Sequence, residues 1–250
     1  MLLHHDLKGK DLPPSSLCLT YDDGPGPHTQ ELGRFLAEEG ISAAFFVIGC
    51  HAEERLDLLR ELRDGGHIIG NHTYSHPDLV TLARAGGDVV AEIARTDEII
   101  RPFVRANVLL FRPPYGSWRE KTRPDGPEDA PTSIVAEWLR SSARFADYVG
   151  PVKWDIVGKD WSAWQRGKSV HEATRRHLEA IERMGRGIVL MHDSSEDRAM
   201  QPRNRTMEMT KLLVPALKER GYRFVPLHAV PSTQNEIQRW RGAVGQNVCE

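Results

Sequence analysis

Leu17-Cys18-Leu19-Thr20-Tyr21 runs directly into Asp22-Asp23-Gly24-Pro25-Gly26-Pro27. The first five residues read as a buried strand, and the Gly-Pro-Gly-Pro run reads as the turn that ends it. Successive strand side chains point to opposite faces, so two adjacent aspartates reach one site only where strand gives way to turn. Alone, the pair reads more readily as an Asp-Gly turn with solvated acids.

The same strand-then-turn rhythm recurs along the chain. Strand-like runs are expected at Leu17–Tyr21, Ala43–Ile48, His67–Ile69, Asn107–Phe111, Tyr148–Trp154, Gly187–Met191 and Arg223–Val225. Helical periodicity fills the gaps near Thr29–Glu39, Glu53–Asp64, Leu79–Arg101, Ser133–Phe145, Val170–Met184 and Thr206–Arg220. Ser169 with Glu172 reads as a capping box, and Gly40, Gly185 and Gly221 as helix stops. A β-α alternation of this kind predicts parallel strands with helices outside, as a barrel or an open sheet. At 250 residues this is one large α/β domain sooner than two small ones. We expect an N-terminal extension at 1–16, the domain at 17–230 and a loosely packed tail at 231–250. Arg119–Thr132, polar and proline-rich, reads as a surface loop.

Composition removes several function classes. A hydrophobic fraction of 40% and a net charge of −2 describe an ordinary soluble chain with no electrostatic pull toward nucleic acid or an anionic membrane. No apolar stretch approaches the roughly 20 residues that a membrane span requires. No secretory leader is apparent in MLLHHDLKGKDLPP, which makes a cytoplasmic protein the expectation, or a secreted or periplasmic one if a leader preceded it. Cys18, Cys50 and Cys249 form no CxxC pair and suggest no disulfide framework, and Cys18 and Cys50, in apolar runs, read as buried reduced thiols. Oligomeric state is not legible.

Four further segments carry chemistry. In Asn71-His72-Thr73-Tyr74-Ser75-His76-Pro77, two histidines four apart share a face if the segment is helical, close enough to hold one metal ion. A carboxylate from the first motif would complete a His2Asp set, leaving the open position of a catalytic site. Phe111-Arg112-Pro113-Pro114-Tyr115-Gly116 places an arginine able to clamp a carboxylate. Leu190-Met191-His192-Asp193 places a histidine just past a strand, suited to general acid work. Trp154-Asp155-Ile156-Val157-Gly158-Lys159-Asp160-Trp161 mixes acids with aromatics suited to sugar stacking, although core tryptophans look the same. Asp22, Asp23, Arg112, Asp155 and His192 all fall at the carboxyl ends of strand candidates, the edge where βα folds build active sites.

In order and wording, TYDDGPGP, GNHTYSHP, RPPYG and LMHD resemble the polysaccharide deacetylase family, the NodB-homology or family-4 carbohydrate esterases. The likeness extends from Leu17 to Val225. It implies a distorted (β/α) barrel and one divalent metal, zinc first, with cobalt, nickel or manganese as alternatives. By matching position it implies Asp23, His72 and His76 as ligands, Asp22 as general base on metal-bound water, and Arg112 holding Asp22. His192 would protonate the departing amine, the Tyr115 N–H would face the oxyanion, and Leu190 and Trp161 would wall the acetyl pocket. The implied substrate is an N-acetylglucosamine-type sugar, oligosaccharide or glycoconjugate. Another N- or O-acylated small molecule, or a sugar-binding protein without turnover, is the competing reading. The family's DxxDW motif is altered: Val157 stands where its first aspartate is expected. Asp155, two residues earlier and so on the same strand face, is expected to orient His192 instead.

Overall fold

The computed structural model describes residues 2–104, 109–118 and 134–246. In chain order the elements are β1 (Leu2–Leu7), β2 (Ser16–Asp22), α1 (Thr29–Glu38), β3 (Ala44–Val47), α2 (Gly49–Ala52), α3 (Leu56–Asp64), β4 (Ile68–Asn71), α4 (Leu79–Arg84) and α5 (Val89–Ile100). They continue as β5 (Leu109–Leu110), α6 (Ile134–Ser141), β6 (Tyr148–Val152), β7 (Ile156–Val157), α7 (Asp160–Gln165), α8 (Val170–Met184), β8 (Gly187–His192), α9 (Thr206–Glu219), β9 (Arg223–Phe224) and α10 (Pro231–Gln246).

Among the described residues every strand pairing is parallel. One sheet runs β4-β3-β2-β8-β7 with β9 beside the start of β2, and a second runs β1-β6-β5. A parallel bridge from Asn71 to Phe111 joins β4 to the end of β5. On the other side the Asp155 N–H donates to the Ile188 carbonyl, 2.9 Å. The two sheets thus curl into a distorted α/β barrel with irregular seams.

Strand parity decides which side chains enter the barrel. All seven residues of β2 are buried, as expected for a parallel strand covered on both faces. Leu17, Leu19 and Tyr21 pack outward under the helices with Leu32, Phe45 and Leu213. Cys18 points the other way, into an interior cluster with Ala44, Phe46, Leu110 and Ile188. Stepping two residues along each strand from those positions reaches Thr20 and Asp22 on β2, Arg112 beyond β5, and Leu190 and His192 on β8. Gly70 on β4 belongs to the interior as well, since a Cβ there would lie 2.6 Å from the Phe46 ring. Two residues on is His72.

Several expectations are corrected. Residues 1–16 include β1, which pairs with β6 through Leu2 and Gly150, and the buried Leu7 and Leu12 seal the base of the barrel. Of the tail, Pro231–Gln246 is a helix, with Ile237 in that same base cluster and the Ser232 hydroxyl on the Lys8 carbonyl, 2.6 Å. The Leu79–Arg101 helix is two helices, because Gly86 takes a left-handed φ of 77° and Asp88 caps a new start on the Ala91 N–H, 2.9 Å. Short β7 and α7 were not anticipated. Ser169 caps α8, and Gly40, Gly185 and Gly221 adopt the left-handed stop. Cys18 is buried, but Cys50 is only partly so. The Arg119–Thr132 loop and Cys249 lie outside the described residues. Among the described residues no helix is long and apolar enough to cross a membrane.

Candidate metal centre and its acid-base flanks

The site is assembled at the carboxyl ends of β2, β4, β5 and β8. β2 ends at Asp22, and Asp23 turns out of the strand with a left-handed φ of 70°. The strand parity that would send Asp23 outward is therefore broken, and both aspartates reach one place. Left-handed backbone is tolerated best by Gly, Asn and Asp.

The histidine pair reaches the site differently from its helical reading. Residues 72–78 are irregular, with φ of 68° at Thr73 and 62° at His76. Asn71 accepts the Thr73 N–H at 2.9 Å, and the Glu92 carboxylate accepts from the Tyr74 N–H at 3.0 Å and the Ser75 N–H at 2.8 Å. Those side chains hold a coiled turn that a helix would not need. The two imidazoles end 4.9 Å apart between ring centroids.

Asp23, His72 and His76 each offer an atom within 4.8 Å of the others. Asp23 Oδ1 lies 3.5 Å from His72 Nε2 and 3.2 Å from His76 Nε2. Donors about 2.0–2.1 Å from a tetrahedral ion sit about 3.3 Å from one another, so the spacing fits. The far nitrogen of each ring is also engaged. His72 Nδ1–H donates to the Arg112 carbonyl at 2.7 Å, and His76 Nδ1 pairs with Glu196. Both Nε2 atoms are thereby left facing Asp23. Burial works against an ionised Asp23, yet the two imidazoles outweigh it and hold the carboxyl well below the usual range.

Beside this set lies Asp22, 2% exposed, with Oδ2 3.8 Å from His72 Nε2. Arg112 is fully buried and donates from Nη1 to Asp22 Oδ1 at 2.7 Å and to the Thr20 hydroxyl at 2.8 Å. Its Nε–H donates to the Val152 carbonyl at 3.1 Å, and the guanidinium stacks 4.2 Å over the Phe46 ring. Such a charge is tolerable in the interior only because it is paired and hydrogen-bonded.

Across the strand pair, Asp22 and His192 are register partners, as are Thr20 and Leu190. His192 Nδ1–H donates to Asp160 Oδ1 at 3.0 Å, and its backbone N–H donates to Asp160 Oδ2 at 2.7 Å. Thr206 adds a third bond to Asp160 at 3.0 Å. Burial disfavours an imidazolium, but Asp160, then Asp23 and Asp22, raise His192 to about 10.

The expectation for Asp155 is corrected here. Its Oδ2 accepts the N–H groups of Gly9 at 2.7 Å and Ile188 at 2.9 Å. It ties the N-terminal segment to β8 and does not meet His192; Asp160 does. Lys159, left-handed at φ 60°, ends the strand geometry that the parity argument assumed.

Trp161 follows Asp160 at the start of α7 and sets its ring 5.0 Å from the His192 ring. It lines a small cavity with Asp23, Trp164, Met200 and Asn204. Leu190, two residues before His192, faces the same side of β8 but is not in that cavity's wall. Tyr115 sits in a left-handed turn with φ 56° and ψ 5°, its ring edge-on to His76 at 4.8 Å. Sequence reading did not anticipate Asp193, whose buried carboxyl accepts from the Thr29 hydroxyl and is raised to about 7 by burial. Nor did it anticipate Glu196.

A barrel mouth that sets an Asp-His-His group beside Asp22 and His192 has the makings of a hydrolase site. The chain belongs to the polysaccharide deacetylase family, whose family model matches residues 9–127. It is 32% identical over 214 residues to the chitooligosaccharide deacetylase of Sinorhizobium fredii, covering 83% of this chain and 87% of that one. With the peptidoglycan-N-acetylglucosamine deacetylase of Bacillus cereus it shares 27% identity over 224 residues, covering 89% and 70%. The fold superimposes on the chitin deacetylase of Colletotrichum lindemuthianum with a TM-score of 0.64 at 26% identity, covering 88% of each chain. The family and the Asp-His-His group together support a divalent metal site.

Proposed function

We propose that the protein hydrolyses the acetamide of an N-acetylglucosamine-type sugar, oligosaccharide or glycoconjugate and releases acetate. Zinc is the metal that best suits one carboxylate and two imidazole nitrogens at this spacing. The observation that carries the reading is the register pairing of Asp22 with His192 beside the three-ligand set. A binding protein has no use for a base and an acid paired beside a metal set.

A divalent cation bound there would supply Lewis acidity toward the acetyl carbonyl and acidify a water molecule. Asp22 takes the proton from the attacking water. Arg112 holds Asp22 in place through its Nη1 bond, and its burial fixes that aim. Attack leaves negative charge on the former carbonyl oxygen, for which the Tyr115 N–H is the backbone donor; one such donor is typically worth about 3–4 kcal/mol. His192, protonated through its pairing with Asp160, gives its proton to the sugar amine as the C–N bond breaks. Trp161, at the rim of the small cavity, bounds the space for the acetyl methyl.

The test is acetate release from N-acetylated chitooligosaccharides and from small O-acetyl esters, before and after chelation. The reading predicts release from the amides that disappears with chelator and returns with zinc or cobalt. Release from esters alone, or sugar binding without acetate, would overturn it.

A further inference from the structure

We infer that Glu196 is a positioning residue, a single carboxylate from the loop after β8 that fixes the second metal-ligating histidine and the Tyr115 turn in one geometry. The inference rests on the deacetylase reading above and names a residue it does not use.

The two histidines of the site are oriented by unlike partners. His72 donates to a backbone carbonyl, that of Arg112. That carbonyl is itself fixed, because the Arg112 N–H donates to Asn71 at 3.0 Å within the strand bridge. His76 has no such backbone acceptor in its pairing; its Nδ1 meets the Glu196 side chain. Glu196 Oε2 also accepts the Tyr115 hydroxyl at 2.7 Å. The Tyr115 and His76 rings are in edge contact, so the three side chains form a closed triangle. Its corners come from three separate loops, those following β4, β5 and β8.

A half-exposed glutamate holds such a corner only if its own loop is tied down. Arg198, two residues on, makes a paired contact with Glu54 at 2.6 and 3.1 Å. Gln201 donates to the Ser195 carbonyl at 3.1 Å, and Asn204 donates to the carbonyls of His192 at 2.8 Å and Ser194 at 2.9 Å. Tyr115 needs an outside tether as well. A left-handed non-glycine residue persists only where its surroundings over-determine it. Removing the carboxylate frees His76 to rotate its Nε2 away from Asp23 and frees the Tyr115 turn to relax. Outer partners of metal-bound histidines typically change affinity or activity by about 10–100-fold.

The experiment is zinc titration against a competing chelator on the full chain, for wild type, Glu196→Ala, Glu196→Gln and Tyr115→Phe, alongside melting of the metal-free proteins. Glu196→Ala is expected to weaken zinc binding by about 10–100-fold with an unchanged metal-free melting temperature. Glu196→Gln, which keeps an acceptor oxygen, should recover most of that loss. Tyr115→Phe should bind zinc as wild type does but show a lower kcat. In zinc-loaded protein, the His76 Nδ1–H resonance should be lost or shifted in Glu196→Ala while that of His72 stays in place. Wild-type zinc affinity in Glu196→Ala, or a loss matched by early melting, would overturn the positioning role and leave the deacetylase reading intact. Failure of wild type itself to bind zinc would overturn that reading, and this role with it.

Discussion

The two halves of the site are built from different materials. On one side Asp22, Arg112 and His72 sit on or just beyond strands, are almost fully buried, and take their orientation from barrel backbone. On the other, His76, Tyr115 and Glu196 occupy irregular loops and orient one another through side chains, two of them exposed. Removing the buried Arg112 charge from the first half disturbs the fold, whereas the exposed side chains of the second can be changed freely. Strand ends fix one half of the site rigidly, and loops leave the other half adjustable.

The comparison breaks most sharply at the acid-base pair, which belongs to the rigid half and its neighbour β8. Asp22→Asn and His192→Ala should each lower kcat by about 10²–10⁴-fold while leaving zinc affinity nearly unchanged, measured by acetate release and metal titration. If either variant lost metal in proportion to activity, the division of labour would be wrong.

Next in size is Arg112→Met. It strands a buried Asp22 carboxylate, and breaking such a pair from one side costs about 3–5 kcal/mol. Urea unfolding of the metal-free protein should show that loss, whereas Glu196→Ala, on the exposed side, should lie within about 0.5 kcal/mol of wild type. Equal destabilisation of the two would erase the contrast.

Asp160→Asn is expected to act on pH dependence. Asp160 is the largest of the influences raising His192, so its neutralisation lowers the imidazole's affinity for the proton. Activity that needs a protonated His192 falls as pH rises through its pKa, so the alkaline limb should move to lower pH. Asp155→Asn should leave that limb in place and instead weaken two bonds to Gly9 and Ile188, a loss of about 1–2 kcal/mol in stability. A reversed pattern would return the orienting role to Asp155.

Much of this was legible in the sequence because parity is. Cys18, Thr20 and Asp22, or Ile188, Leu190 and His192, alternate along strands whose apolar runs announce themselves. The residues just past each run therefore stand at the barrel mouth. The same argument misled for Asp155, since β7 spans only Ile156–Val157 and a left-handed Lys159 then redirects the chain to deliver Asp160. His72 and His76 lie side by side through a turn braced on Asn71 and Glu92, where the sequence spacing suggested a helix. No local periodicity encodes such a brace. Glu196 was invisible for a related reason: an acid in a polar loop after β8 becomes informative only once folding sets it beside His76 and Tyr115. β1 escaped notice because Leu2–Leu7 carries two histidines and an aspartate where an apolar run would signal a strand.

The most direct measurement is anomalous diffraction at the zinc edge from crystals of zinc-loaded protein. The account predicts one peak about 2.0–2.2 Å from an Asp23 carboxylate oxygen and from Nε2 of both His72 and His76, with Arg112 still paired to Asp22. A peak bound through Nδ1, a peak elsewhere in the barrel, or no peak at this mouth would contradict it.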